Sequence, residues 1–184
     1  MSPATKGSSK FSTRTDGVIV PPRSKQNIAA NAQVVRQFLQ LENYAYFPVV
    51  DVYERLDLMF EGARFEVLEE AEMGDEHGRT YPDRGLIQIR NDVYERAADG
   101  EPRDRFTLCH ELGHLMMHRG IALSRIDPTS PPKIYCNSEW QADIFASYLL
   151  IPPDLLESCA SIPRVMAEFG VSFEAARARK NELQ

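Results

Sequence analysis

Residues 107–120, TLCHELGHLMMHRG, place two histidines four positions apart, with a glutamate directly after the first. On an α-helix, residues four apart lie on one face about one turn from each other, so His110 and His114 can point two imidazoles at one metal ion. Two buried histidines need polar partners, and a metal ion supplies one. The motif is surrounded by apolar residues, which predict a largely buried helix: Leu108, Leu112, Leu115 and Met116.

Glu111 lies about 100° around the predicted helix from His110, beside the metal position rather than on it. There its carboxylate can take a proton from a metal-bound water. Zinc suits this chemistry because it lowers the pKa of a bound water towards ~7 and polarises a carbonyl group. Glu111 is therefore the predicted general base, and the two histidines are predicted zinc ligands. The alternative is a surface helix whose charged groups face water.

A catalytic zinc site needs a third protein ligand, and two histidines with one glutamate form a known set. Glu139 follows His114 by 25 residues, at the start of an apolar segment, 137–150, that predicts a buried helix. Asp143 follows four residues later on the same face. This spacing favours Glu139 as the third ligand and Asp143 as a carboxylate that orients a zinc-bound imidazole. The alternative is an exposed helix start, with Glu139 near the positive helix N-terminus.

Other residues near the motif carry less specific predictions. His118 lies two turns, ~11–12 Å, from His110, so one ion cannot easily bind all three histidines, and His118 is predicted to pack or to cap the helix. Gly113 costs ~1 kcal/mol relative to alanine inside a helix, which indicates that something packs close against it. Cys109 is predicted to be a small apolar residue, although a thiol there could in principle be oxidised or bind metal. No role is assigned to His77.

The charge of the chain is uneven, with basic residues concentrated near the N-terminus and a net charge of −6 for the whole. Residues 1–24 predict a disordered basic tail, and the acidic remainder is a poor general binder of nucleic acid. The sequence has no run of ~18 apolar residues, so no membrane span is predicted. The three cysteines are odd in number and irregularly spaced, which disfavours a disulfide framework and indicates a cytoplasmic protein.

The periodicity of apolar residues predicts one domain of the α+β class over residues 25–184. The expected elements are a small, mainly antiparallel sheet, the HExxH helix, a second ligand-bearing helix and a C-terminal helical segment, 160–184. Residues 73–85 are polar and glycine-rich, which predicts a loop or hairpin end between two strands. Predicted helices cover residues 25–43, 51–60, 103–119 and 137–150, and predicted strands cover 65–69 and 86–90.

Two segments, RFTLCHELGHLMMH and EWQADIFASYLLIPPDLL, resemble the two motifs of the ImmA/IrrE-type zinc metallopeptidases, which are of the gluzincin kind. The resemblance extends from about residue 25 to the end, where FGVSFEAARARKNEL is similar to the family's closing segment. It implies one zinc ion per chain, with His110, His114 and Glu139 as ligands and Glu111 as general base. It also implies a partner protein as substrate, usually a helix-turn-helix transcriptional repressor, whose cleavage relieves repression.

The strand at residues 86–90 looks like the edge strand on which related enzymes bind an extended peptide by main-chain hydrogen bonds. An ordinary inner strand is the alternative. The motifs do not identify the group that stabilises the oxyanion, and Tyr135, Tyr148 and His118 are candidates by their chemistry alone.

Two other functions are open from the sequence: a zinc-containing interaction protein that cleaves nothing, and a DNA-binding regulator. For the second, SIPRVMAEFGVSFEAARARKNELQ resembles a helix-turn-helix, with Arg177, Arg179 and Lys180 on its second helix. The alternative for this segment is a packing element, since Val165 and Phe169 need an apolar core.

Overall fold

The structure is a computed structural model that describes residues 17–121, 124–127, 129–130 and 132–183. The predicted α+β class is confirmed. None of the helices in these ranges is long and apolar enough to cross a membrane. In chain order the elements are β1 (Val18–Ile19), α1 (Lys25–Phe38), α2 (Val49–Glu54), α3 (Leu56–Met59), β2 (Arg64–Leu68), α4 (Glu70–Met73), β3 (Gly78–Tyr81), β4 (Leu86–Arg90), α5 (Asn91–Ala98), α6 (Pro102–Met117), β5 (Ser124–Arg125), α7 (Ser138–Leu150), α8 (Pro153–Glu157), α9 (Ile162–Phe169) and α10 (Phe173–Glu182).

Three strands form a mixed sheet in the order β2-β4-β3. Strand β4 pairs in parallel with β2 and antiparallel with β3, while β1 and β5 form a separate antiparallel pair. The hypothesis that residues 86–90 form a peptide-binding edge is therefore wrong, because β4 is the inner strand. Strand β3 is an outer strand beside the motif helix, within a segment for which the sequence predicted a loop or hairpin end. Both faces of β4 are covered, and its buried residues are Leu86, Ile87, Ile89 and Arg90.

Helix α6, which carries the motif, packs against α7, α5 and strands β3 and β4. Helix α1 packs in turn against α7 and buries Ile28, Ala32 and Val35 along one face. It ends at Phe38, earlier than predicted, and Gln40 then takes a positive φ of 58°. The helix predicted at 51–60 consists of α2 and α3. The motif helix is thus enclosed by helices and by the sheet.

Helices α6 and α7 approach each other closely at Gly113. A Cβ at this position would lie 3.0 Å from Cδ1 and 3.3 Å from Cβ of Phe145, a fully buried residue of α7. The prediction that something packs close against Gly113 is confirmed. The missing side chain lets α7 come near enough for its polar residues to reach the histidines of α6.

The C-terminal helices α9 and α10 pack on the core. Val165 and Phe169 are buried, and Arg179 is 3% exposed. Arg179 donates a hydrogen bond from Nη2 to the Ile151 carbonyl at 3.1 Å. These contacts agree with the interpretation of this segment as a packing element, because a buried arginine is not presented to a phosphate backbone.

The N-terminal segment is ordered before the predicted start of the domain. Residues 1–16 of the predicted basic tail lie outside the described residues, whereas residues 17–24 are described. Strand β1 pairs with β5, and Val20, which is 3% exposed, donates its backbone N–H to the Cys136 carbonyl at 2.9 Å. The folded part of the chain therefore includes residues that precede position 25.

Candidate metal centre

The two motif histidines and Glu139 meet between α6 and α7. His110 Nε2 lies 3.0 Å from His114 Nε2 and 3.2 Å from Glu139 Oε2, and His114 Nε2 lies 3.3 Å from Glu139 Oε1. Glu139 occupies the first turn of α7, and the Asn137 side chain caps this helix by accepting a hydrogen bond from the Trp140 backbone. The structure thus brings the three predicted ligands together in one group with the geometry to hold a metal ion.

The spacing of these three groups fits a small tetrahedral ion. Ligand bonds of about 2.0–2.1 Å place neighbouring ligand atoms roughly 3.3–3.4 Å apart in a tetrahedron. The two imidazole nitrogens lie 3.0 Å apart, one oxygen of Glu139 lies 3.2 Å from the first, and the other oxygen lies 3.3 Å from the second. Two imidazoles with one carboxylate form a zinc-type donor set, and three protein ligands leave a fourth position open. The residues therefore fit one zinc ion.

Asp143 contacts His110 on the side away from the other ligands. Its Oδ1 lies 2.9 Å from His110 Nδ1, so Nδ1 donates to the carboxylate while Nε2 is directed at Glu139. Burial disfavours a charged His110, but the hydrogen bonds to Asp143 and Glu139 outweigh it and raise the pKa of His110 to about 10. Burial also opposes the charge of Glu139, yet its hydrogen bonds to His110 and His114 lower its pKa. The carboxylates thus favour a cation here, whether a proton or a metal ion.

Glu111 lies beside this group and is held by strand β3. The Thr80 hydroxyl lies 2.5 Å from Glu111 Oε2, to which it donates, and 3.2 Å from the backbone carbonyl of the same residue. Gly78 leaves room for the glutamate, because a Cβ there would lie 2.7 Å from Glu111 Cγ. The Glu111 residue is 7% exposed. The predicted general base is therefore positioned by two residues that the sequence analysis did not single out.

Two cavities extend from the site in different directions, and both include Gly78, Glu111 and Glu139 in their walls. The larger, of about 720 Å³, continues towards the start of α10. The smaller, of about 290 Å³, continues towards the N-terminal segment at Gly17 and Val18. These two cavities, which share Glu111 as a wall residue, make up the groove of the site.

Two of the three candidates for stabilising an oxyanion, Tyr135 and Tyr148, lie away from these cavities. The guanidinium of Arg179 stacks on the Tyr148 ring, 3.7 Å from its centroid. Within the described residues, neither Tyr148 nor Tyr135 lines the two cavities at the site. His118 is 2% exposed and lies between His114 and Gln141. His118 therefore borders the smaller cavity but is almost fully buried, while the two tyrosines lie away from both cavities.

Cys109 and His77 take different positions relative to the site. Cys109 is fully buried, and burial raises the pKa of its thiol to about 12. This agrees with the interpretation of Cys109 as a small apolar residue. His77, to which the sequence assigned no role, lines the larger cavity.

The family of the chain follows from a comparison with known protein families. The family model for Peptidase M78, described as the IrrE N-terminal-like domain, matches residues 64–181. This range contains strand β3 and helices α6 and α7, and so includes the three predicted ligands, Glu111 and Asp143. A search among curated proteins finds no match. Since the matched range covers more than half of the chain, the protein belongs to the M78 peptidases, a family of zinc metallopeptidases.

Proposed function

We propose that the protein is a zinc-dependent endopeptidase that cleaves a partner protein, with His110, His114 and Glu139 as metal ligands. The observation that carries the proposal is the position of Glu111. A site that uses zinc only for structure has no need of a base beside the metal position. Glu111 lines both cavities together with Glu139 and accepts a hydrogen bond from Thr80, which supports its role as that base. Membership of the M78 peptidases supports a hydrolase.

Glu111 would act as the general base and then as the general acid. When bound, zinc would lower the pKa of water and polarise the peptide carbonyl. Thr80 donates to Oε2 of Glu111, which assigns the proton transfer to Oε1. Glu111 takes the proton of the attacking water at this oxygen and passes it to the nitrogen of the leaving amine. Asp143, through its hydrogen bond to Nδ1, holds the His110 ring in the orientation that its ligand role requires.

An endopeptidase is favoured over an exopeptidase by the shape of the groove. Its two arms extend from Glu111 in different directions, so a peptide can continue past the site on both sides. Strand β3 is an outer strand that reaches the groove at Gly78, and an extended peptide can add to such a strand by main-chain hydrogen bonds. We therefore propose β3, instead of β4, as the strand that binds substrate.

The proposed substrate is a helix-turn-helix transcriptional repressor, whose cleavage would relieve repression. The family resemblance of the two motifs supports this choice, while the groove supports a peptide of any kind. Such a substrate would place the reaction in the cytoplasm, in agreement with Cys109, Cys136 and Cys159, which are free thiols.

The test is co-expression of the protein with the helix-turn-helix repressors encoded near its gene, followed by detection of repressor fragments. The matched control is Glu111→Gln, which keeps the size of the side chain and removes the base. We expect fragments with the wild type, none with Glu111→Gln, and about one zinc per chain in both. Cleavage by Glu111→Gln at the wild-type rate would refute the mechanism.

The zinc content of the purified protein separates this proposal from its alternative. The variant Glu139→Ala should lose most of the metal, because it removes one of three ligands. A zinc-loaded wild type that cleaves none of these repressors would favour the alternative, in which the protein regulates by protein or DNA contact without proteolysis.

A further inference from the structure

A row of hydrogen bonds leads from His114 away from the metal position. His114 Nδ1 lies 3.0 Å from His118 Nδ1, and His118 Nε2 lies 3.2 Å from Gln141 Oε1. The Gln141 amide nitrogen lies 2.9 Å from the Pro21 carbonyl and 2.8 Å from the Tyr135 carbonyl. His118 and Gln141 are both buried. The row therefore joins a predicted metal ligand to the backbone of two separate segments.

The donor and the acceptor of each hydrogen bond in this row follow from the two backbone carbonyls at its end. Backbone carbonyls can only accept, so the two at Pro21 and Tyr135 require the NH₂ group of Gln141, and its Oε1 must face His118. This oxygen is an acceptor, so His118 Nε2 carries a hydrogen. A neutral His118 then has a lone pair at Nδ1, which accepts the hydrogen bond from His114 Nδ1–H. When a metal ion replaces the proton that His114 shares with Glu139, the lone pair of His114 is consequently on Nε2, the atom that faces Glu139.

The surroundings of His118 favour the neutral form that this arrangement needs. His118 Nε2 faces Gln141 Oε1, which can only accept, and His118 Nδ1 faces a second imidazole, that of His114. A positively charged His118 would carry N–H groups on both nitrogens, and one of them would meet the N–H of His114. The described neighbours thus leave one proton arrangement that satisfies each member of the row.

We propose that His118 and Gln141 are positioning residues that fix the proton of His114 on Nδ1 and thereby keep its Nε2 free for the metal ion. This inference rests on the proposed metal site. The two ligands of α6 are then oriented in different ways. His110 donates to the carboxylate of Asp143, whereas His114 donates to a neutral imidazole, which adds no further negative charge to the buried site. Residues that hydrogen-bond to a metal ligand without touching the metal typically contribute about 10- to 100-fold to metal affinity.

A packing or capping role for His118 makes a different prediction. His118 follows the last residue of α6, and its backbone N–H donates to the His114 carbonyl. If only this backbone contact and the volume of the ring mattered, phenylalanine at position 118 would leave zinc binding unchanged. The positioning role requires the two ring nitrogens.

The experiment measures the zinc dissociation constant of the full chain by competition with a chromogenic chelator. We expect His118→Phe and Gln141→Leu to weaken zinc binding by about 10- to 100-fold, with unchanged circular dichroism. The control is Gln37→Leu, which removes an exposed amide of α1 outside the row and should keep the wild-type constant. Wild-type zinc affinity in both folded variants would overturn the proposal.

A measurement on the wild type keeps the test independent of how the variants fold. The ¹⁵N chemical shifts of the imidazole rings in the zinc-loaded protein report which nitrogen carries hydrogen. We expect hydrogen on Nε2 of His118 and on Nδ1 of His114, and the opposite arrangement would overturn the proposal. A wild type that binds no zinc would refute the metal site as well, whereas zinc binding without proteolysis would refute only the proposed function.

Discussion

The substitution Gly78→Ala is expected to displace Glu111 while leaving the fold intact. Gly78 does not have a positive φ, so the backbone of β3 can accept alanine. The new Cβ would, however, lie 2.7 Å from Glu111 Cγ and 2.9 Å from its Oε1. Carbon atoms in contact normally stay about 3.5–4.0 Å apart, so the Glu111 side chain must move by roughly 1 Å.

A displacement of this size affects catalysis more than stability. The Glu111 side chain can rotate away at a cost of about 0.5–1.5 kcal/mol, which leaves the protein folded. A shift of ~1 Å in the position of a reacting group can lower a rate by about 10²-fold, and the hydrogen bond from Thr80 would be broken as well. We therefore expect kcat for repressor cleavage to fall about 100-fold, with zinc content and melting temperature close to those of the wild type.

The assay is the cleavage rate of the repressor identified by co-expression, measured on purified proteins of known zinc content. The control is Tyr81→Ala on the same strand. Its ring lies beside the guanidinium groups of Arg79 and Arg84, so its loss perturbs β3 without contact to Glu111. A wild-type kcat in zinc-loaded Gly78→Ala would refute the argument that β3 determines the position of the base.

Three further predictions concern the same site. Thr80→Val removes a hydrogen bond to a charged group and should lower kcat by about 10- to 100-fold at unchanged zinc content, while Thr80→Ser should restore most of it; equal rates in both variants would contradict this role. Because the pKa of His110 is raised to about 10 in the metal-free protein, zinc must displace its proton. The zinc Kd, measured by chelator competition, should therefore fall about tenfold per unit from pH 6 to pH 8, and a constant Kd would contradict this. Gly113→Ala gains ~1 kcal/mol of helix propensity but overpacks Phe145 at a cost of about 1–3 kcal/mol, so urea denaturation should show a net loss of stability rather than a gain.

The candidate ligands could be predicted because helical spacing is a local property. His110 and His114 share one face of α6, and Glu139 and Asp143 share one face of α7, wherever the two helices lie. That these helices pack together is not local information. Gly113 gave a partial signal for it, since a glycine inside a helix indicates a close neighbour, and that neighbour is Phe145 of α7.

Strand β3 was not predicted because the residues that serve the site interrupt the alternating apolar pattern that indicates a strand. On the side that faces Glu111 it carries Gly78 and Thr80, which provide space and a hydroxyl instead of apolar bulk. The segment therefore has too little alternation to predict a strand. The order of the strands could not be predicted from the sequence either. The apolar pattern of β4 indicates a buried strand but does not identify the strands that pair with its two edges.

The role inferred for His118 shows another limit of prediction from the sequence. Its distance from His110 along the helix excludes it from the same ion, and that estimate needed only the helix rise. Its contact with Gln141 joins residues 23 positions apart on different elements. Such a contact depends on how α6 and α7 pack against each other. The spacing of residues along one helix contains no information about that packing.

The hydrogen bond between Gln141 and the Pro21 carbonyl has a practical consequence for protein engineering. A fusion partner can be joined to the N-terminus by a linker whose cleavage site lies before Gly17. Its removal would preserve the hydrogen bond to Pro21. A version shortened to begin at Ser24 would keep every motif residue and yet lack one of the two carbonyls that hold the Gln141 amide. Such a version would also lack strand β1 and the buried Val20. A truncation screen that selects only for expression could therefore keep a protein with weakened metal binding, and its low zinc content would be mistaken for a property of the longer chain.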